Sequence, residues 1–235
     1  YSGQSNVIGY ASEDPFGSLT NSGTIATHSP TAGAAGVVMD NGGTLHNQTG
    51  GIIQAAGANA TAVVFNRGAY AGANATYDPQ IVNDGLIEAI SLSPSRASVG
   101  LYLEHLEFEW MEVVNNGTIR ADIAIFASGA SFTPLQQSTD RITNSATGLI
   151  EGDIFLAEGD DILVNRGTIR GTVALGDGHH LIDTSAGTMV GLTDLGFGDD
   201  RFIGSAGSDF ARGDSGADRL EGGSGNDLLI GDWGD

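Results

Sequence analysis

The chain has 235 residues, with 29 acids against nine bases, all of them arginine, and no cysteine. A formal charge of −20 excludes nucleic acid and anionic membranes as partners and favours divalent cations. The missing cysteines exclude a disulfide framework, and no apolar run reaches the ~18 residues of a membrane-spanning helix.

Glycine is 37 of the 235 residues, aromatics are few, and there is neither a collagen period nor an excess of proline. That composition calls for many tight turns. Long segments of helical period are missing, so the fold class expected is all-β. The chain opens on Tyr1 without a signal-peptide pattern and stops inside a repeat, which reads as a piece of a longer protein.

From the N-terminus, Asn-x-Gly followed by aliphatic residues recurs at Asn21, Asn66, Asn83, Asn115 and Asn165, with the longer variants "HNQTGGIIQA" at Asn47 and "TNSATGLIEGDIFL" at Asn144. The smallest steps, near 18 to 20 residues, match one coil of a parallel β-helix. In this reading a strand enters each bend, Asn and Gly supply the left-handed backbone it needs, and a second strand leaves. Stacked Asn side chains would form a hydrogen-bonded ladder. An antiparallel sandwich of hairpins is the alternative, but it gives no motif at a near-fixed period. The pattern assigns residues 1–155 to a parallel β-helix with loop insertions near 28–42, 91–111 and 127–140. Insertions in solenoids gather on one face, often the binding face. The stretch "LEHLEFEWM" (103–111) alternates apolar and acidic residues from Leu106 to Trp110 and reads as a strand, either half-buried at an edge or forming its own coil. The polar stretches "SEDP" (12–15) and "TDR" (139–141) read as turns.

Residues 156–194 form transitional coils. "LAEGDDILV-NRGTIRGTVA", "LGDGHHLID-TSAGTMVGLTD" and "LGFGDDRFI-GSAGSDFAR" align from residue 156 to 212. The Gly-acid turn therefore continues unbroken past residue 194, and no Pro- or Ser-rich linker intervenes. His179-His180 lies in one such turn and reads as a solvated turn or a spoiled cation site more readily than as a zinc site. Asp122 and Asp153 follow corresponding Asn turns, where a hydrolase would place a carboxylate pair. Two solvated turn acids explain them as well. No nucleophile elbow, P-loop or His-x-x-x-His motif occurs.

Residues 195–235 repeat every nine residues: "LGFGDDRFI", "GSAGSDFAR", "GDSGADRLE", "GGSGNDLLI" and a partial "GDWGD". Glycine holds the fourth place (Gly198, Gly207, Gly216, Gly225) and often the first or second (Gly196, Gly204, Gly213, Gly222). Aspartate holds the sixth place: Asp200, Asp209, Asp218 and Asp227. A large apolar residue holds the eighth place at Phe202, Leu220 and Leu229, with Phe210 at the seventh place of the second unit instead. Turn chemistry alone does not fix an aspartate at every ninth residue.

These units resemble the RTX (haemolysin-type calcium-binding) family, whose nonapeptide is Gly-Gly-x-Gly-x-Asp-x-U-x, with U a large apolar residue; residues 222–230 match every fixed position. The resemblance implies an RTX-type calcium-binding β-roll in which six residues form the turn and three the strand. It implies calcium (Ca2+) as the ligand, held by the four aspartates and the carbonyls of the glycine turns. Two units complete one coil, so ions are expected between Asp200 and Asp218 on one edge and between Asp209 and Asp227 on the other. His180 and Met189 precede these columns and are not hard-cation ligands. The ladder is therefore expected to end there, with Asp161 playing no part.

The N-terminal part resembles, less specifically, the β-helical stalks of secreted bacterial surface proteins. Together the two resemblances imply a non-enzymatic, calcium-stabilised solenoid of a secreted or surface-attached protein, of adhesin, matrix or surface-layer type, exported by type I secretion. Polysaccharide or cell-surface components would be its partners. One alternative is a polysaccharide-active β-helix enzyme, although the chain has no lysine for lyase chemistry and its arginines are scattered. Another is an accessory folding and secretion module of a larger exoprotein.

Overall fold

The computed structural model describes residues 7–12, 17–40, 43–66, 80–105, 110–129 and 139–234. Among them every strand pairing is parallel and there is no helix. The chain winds as a solenoid. A short strand ending in Asn, such as Thr44–Asn47, lies in one sheet, and the strand after the bend, such as Ile52–Asn66, lies in the other. Side chains alternate inward and outward along each strand, so Met39, Ile53, Phe65, Leu101, Ile119 and Ile150 fall on the inner face and are fully buried.

The coils taper. The outgoing strand is 17 residues long at Thr24–Asp40, 15 at Ile52–Asn66, 12 at Thr118–Gly129, seven at Leu149–Phe155 and three at Phe210–Arg212 and Leu228–Ile230. The first expected insertion, near 28–42, is thus not a projecting loop over residues 28–40. It lengthens a strand. The second does not form a coil of its own among the described residues. Val99–His105 pairs with the far half of Ile52–Asn66, while Leu86–Ser91 pairs with the near half. Residues 92–98 are a loop set into one strand position. Residues 106–109 of the expected Leu106–Trp110 strand, residues 130–138 of the third insertion and residues 13–15 of "SEDP" lie outside the described residues.

At the bend, Asn21, Asn47, Asn83, Asn115, Asn144 and Asn165 stack in register. Each Nδ2 donates to the next Oδ1 at 2.8 Å, and the column ends with Asn165 donating to Thr184 Oγ1 at 3.0 Å. An amide carries both donor and acceptor, so a stack of identical amides satisfies itself. The second Nδ2 hydrogen reaches main-chain carbonyls. In Asn115 these are Gly117 and Leu149, both at 3.2 Å.

Two expectations from the sequence are corrected by the register. Asn66 is not in the column: it ends a long strand and donates to Asp40 Oδ1 at 2.8 Å. The step from Asn47 to Asn83 is therefore a single coil of 36 residues, and the wide coils exceed 18 to 20 residues because their strands are long. Nor do the stacked Asn residues, or Gly85 and Gly117 beside them, adopt left-handed backbone, although Gly50 in the bend after Asn47 does, at φ 82°. A Cβ on Gly85 would strike the Gly51 carbonyl, and one on Gly117 the Gly85 carbonyl. Glycine is needed there for close approach of successive coils.

Replacing Asn115 by Ala would leave one Nδ2 hydrogen of Asn83 without an acceptor and the Oδ1 of Asn144 without its donor in a buried column. At about 1–3 kcal/mol per unsatisfied group, Asn115→Ala should lower stability by at least ~2 kcal/mol in urea denaturation. Asn66→Ala, outside the column, should change it by under ~1 kcal/mol.

Candidate metal centre

Opposite the Asn column the coils turn back. From residue 156 onward these return turns are six residues long and stack directly. Glu158, Asp177, Phe197, Ser215 and Trp233, the third places, are bridged coil to coil. The fourth places Gly159, Gly178, Gly198 and Gly216 have φ between 124° and 154°, a region that L side chains rarely adopt, and a Cβ on Gly216 would strike the Gly198 carbonyl. The nonapeptides repeat two per coil, for Arg201 pairs with Arg219 and Phe210 with Leu228. The inward residue of the second unit is Ala211, fully buried, while Phe210 faces solvent.

The sixth-place aspartates align by the same register. Asp218 Oδ1 accepts the Asp200 N–H at 3.0 Å, and Asp227 Oδ1 accepts the Asp209 N–H at 3.1 Å. Asp200 Oδ1 in turn accepts the His180 N–H at 2.7 Å. One carboxylate oxygen of each pair thus ties its coil to the one before.

The second oxygens differ between the two edges. Asp200 Oδ2 and Asp218 Oδ2 are buried and have no hydrogen-bond partner. Asp218 Oδ2 lies across its own turn against Gly213, where a Cβ would fill the space. Around this pair Gly196, Gly198 and Gly216 hold left-handed backbone. On the other edge, Asp209 Oδ2 accepts from Ser205 N at 2.7 Å and from Ser205 Oγ at 3.0 Å, closing that turn on itself. Gly204 and Gly207 in this turn are not left-handed. The final turn regains the pattern, with Gly223 at φ 86° and Gly225 at 120°, and Asp227 Oδ2 against Gly222. Of the residues that the spacing singles out, Asp200 and Asp218 carry the unpartnered oxygens, Gly196, Gly198, Gly213 and Gly216 lie in their turns, and Asp227 lies with Gly222 and Gly225 in the final turn. Spacing did not separate them from Asp209, which its own turn satisfies.

Spacing also missed Arg212. Its guanidinium reaches Asp214, at 2.8 Å, and Asp232, the two non-glycine residues with left-handed backbone among those described, with Asp194 at 3.8 Å. The stacked Gly-Asp dipeptides 213–214 and 231–232 were the available signal.

An acceptor-only side chain, buried and stacked on another, is short of positive charge. Burial, with Asp218 adding to it, pushes the Asp200 carboxyl up to about 7 against the His180 N–H that favours the anion. Among the described residues no three His, Asp or Glu side chains converge on one point. Any ion at this edge is held by two carboxylates and main-chain carbonyls. A hard dication taking six to eight oxygens suits that donor set. The orphaned oxygens and the glycine cradle fit calcium.

In metal-free protein the native state keeps protons on such buried carboxyls that the unfolded chain, at pKa ~3.9, releases. That stability is complete below pH ~4 and is lost as pH rises through about 7 for Asp200 and about 8 for Asp161. Calcium-free protein should therefore melt at a lower temperature at pH 8.5 than at pH 6, and millimolar calcium should abolish the fall. Circular dichroism melts measure both; a melting temperature rising with pH in the calcium-free protein would contradict the assignment.

No curated protein and no solved structure matches the chain. A family model for the RTX calcium-binding nonapeptide repeat matches residues 194–229 and 212–235, in four copies. Residues 194–235 are thus RTX calcium-binding repeats, wound as the last coils of a parallel β-helix.

Proposed function

We propose that the chain is a segment of a secreted or cell-surface bacterial protein, a non-enzymatic stalk of adhesin, matrix or surface-layer type whose narrow end is locked by calcium. The observation that carries the reading is the stacked pair Asp200 and Asp218, each with a buried oxygen that no protein group satisfies. These two aspartates, with the turns that contain Gly196, Gly198, Gly213 and Gly216, would hold one ion. Asp209 and Asp227, with the turns containing Gly204, Gly207, Gly222 and Gly225, would hold a second and weaker one, because the ion must displace Ser205 from Asp209.

Residues 194–235 hold ten acids and three Arg. Their inward residues beyond Phe202 and Ala211 are only half-buried, at Leu220 and Leu229. So little apolar burial does not offset the ordering of the chain. Extracellular modules of this kind bind calcium at about 10⁻⁴–10⁻³ M. The roll would stay open in the cytosol and close outside, which suits export of an unfolded chain by type I secretion. The extended, evenly stacked outer faces support a stalk that presents surface to polysaccharide or matrix.

The carboxylates a hydrolase would need have structural partners. Asp122 Oδ2 accepts from Ser98 N and Oγ, both at 2.8 Å, and Asp153 Oδ1 from Thr172 N at 2.8 Å.

Hydrogen exchange with and without a calcium chelator tests the reading. Chelation should remove protection from amides over residues 201–230 and leave residues 52–66 and 118–127 protected. Uniform protection in both conditions would sink it. Asp218→Asn should raise the calcium midpoint of folding about tenfold, some 1.4 kcal/mol, and Asp209→Asn by less.

A further inference from the structure

The register that stacks the sixth-place aspartates does not stop at the repeats. Asp161 N–H donates to His180 Nδ1 at 3.2 Å, and one coil earlier Asp140 N–H donates to Asp161 Oδ1 at 2.7 Å. Asp140, Asp161, His180, Asp200 and Asp218 form one column, each residue after Asp140 accepting from the main chain of the one before it. Asp140 and Asp161 therefore stand to each other as Asp200 stands to Asp218.

Both are buried, Asp140 at 2% exposure and Asp161 at 1%. Asp161 Oδ2 has no hydrogen-bond partner. The one basic side chain near that oxygen among the described residues is His180, whose Nδ1 is 3.8 Å away. That nitrogen accepts a main-chain N–H, so the neutral ring carries its proton on Nε2 and has no second lone pair. His180 cannot ligate a cation without abandoning the stack. It divides the column into two acidic pairs.

We infer that Asp140 and Asp161 hold a further calcium ion, outside the recognised repeats, with the carbonyls of the 156–161 turn and water completing its shell. The same turn carries the left-handed Gly159 and is bridged to its successor through Glu158 and Asp177, as the repeat turns are. Burial desolvates the Asp161 carboxylate, and the neighbouring Asp140 adds like-charge repulsion. A hard dication removes both penalties. Asp161 thus takes the part that spacing alone denied it. The ion relies on the chemistry proposed for Asp200 and Asp218 but stands on a separate pair.

Calcium stoichiometry of the full chain, by equilibrium dialysis, separates the two. Besides the ion assigned to Asp209 and Asp227, the double variant Asp200→Asn/Asp218→Asn should keep one calcium that the further change Asp161→Asn removes. Asp161→Asn alone should bind one calcium fewer than the wild type. Its amide Oδ1 can still accept the Asp140 N–H, so its calcium-free melting temperature should not fall, while the rise on adding calcium should shrink. Unchanged stoichiometry in Asp161→Asn means that the pair shares a proton instead, and overturns the inference alone. A double variant identical to wild type overturns the Asp200–Asp218 site and leaves this one standing. If calcium-free Asp161→Asn melts well below the wild type and keeps its full stoichiometry, Asp161 is a packing residue and the inference fails.

Discussion

In a parallel solenoid each residue meets its counterpart one strand spacing, about 4.8 Å, away. Whatever stands at a turn must therefore tolerate a copy of itself above and below. This self-stacking constraint governs both edges of the molecule. Asparagine meets it without help, since each amide donates to the next and accepts from the one before. Aspartate meets only half of it. One oxygen takes a main-chain N–H from the preceding coil, and the other is left facing the interior of its turn. The amide edge closes on itself, and the carboxylate edge demands a cation.

The two edges also explain why the coils can narrow. Wide coils bury Met39, Phe65, Leu101 and Leu103 between the sheets. With only three residues per strand, each strand of the last coils has a single inward position, and their cohesion shifts from apolar packing to the turns. Arg212, spanning Asp194, Asp214 and Asp232, is a protein-borne cation in the same role on the outer surface, where salt and water weaken it.

The nonapeptide was legible because its period is short and its Asp and Gly are irreplaceable where they stand. Gly198 and Gly216 need both the backbone freedom and the absence of a Cβ. The Asn column was legible in kind but miscounted at Asn66, because a motif of three residues does not reveal whether its Asn ends a short strand at the bend or a long one elsewhere. Asp161 was visible in the alignment of its turn with the one ending at Asp200. What hid its place in the column was His180 between them: a sequence shows a broken pattern, whereas the backbone register runs through the break. The closure of Asp209 by Ser205 depends on a rotamer and a turn conformation, which spacing does not encode.

The taper gives the molecule a graded rather than uniform cohesion. Coils held by ladder and core sit at one end, and coils whose turns carry the unpaired carboxylates sit at the other, joined through parallel strand pairs among the described residues. A drop in calcium would then act as erosion from the narrow end, halting where the amide ladder and a buried core resume near Asn165 and Leu163. On that reading the ionic medium would set how long the rod is.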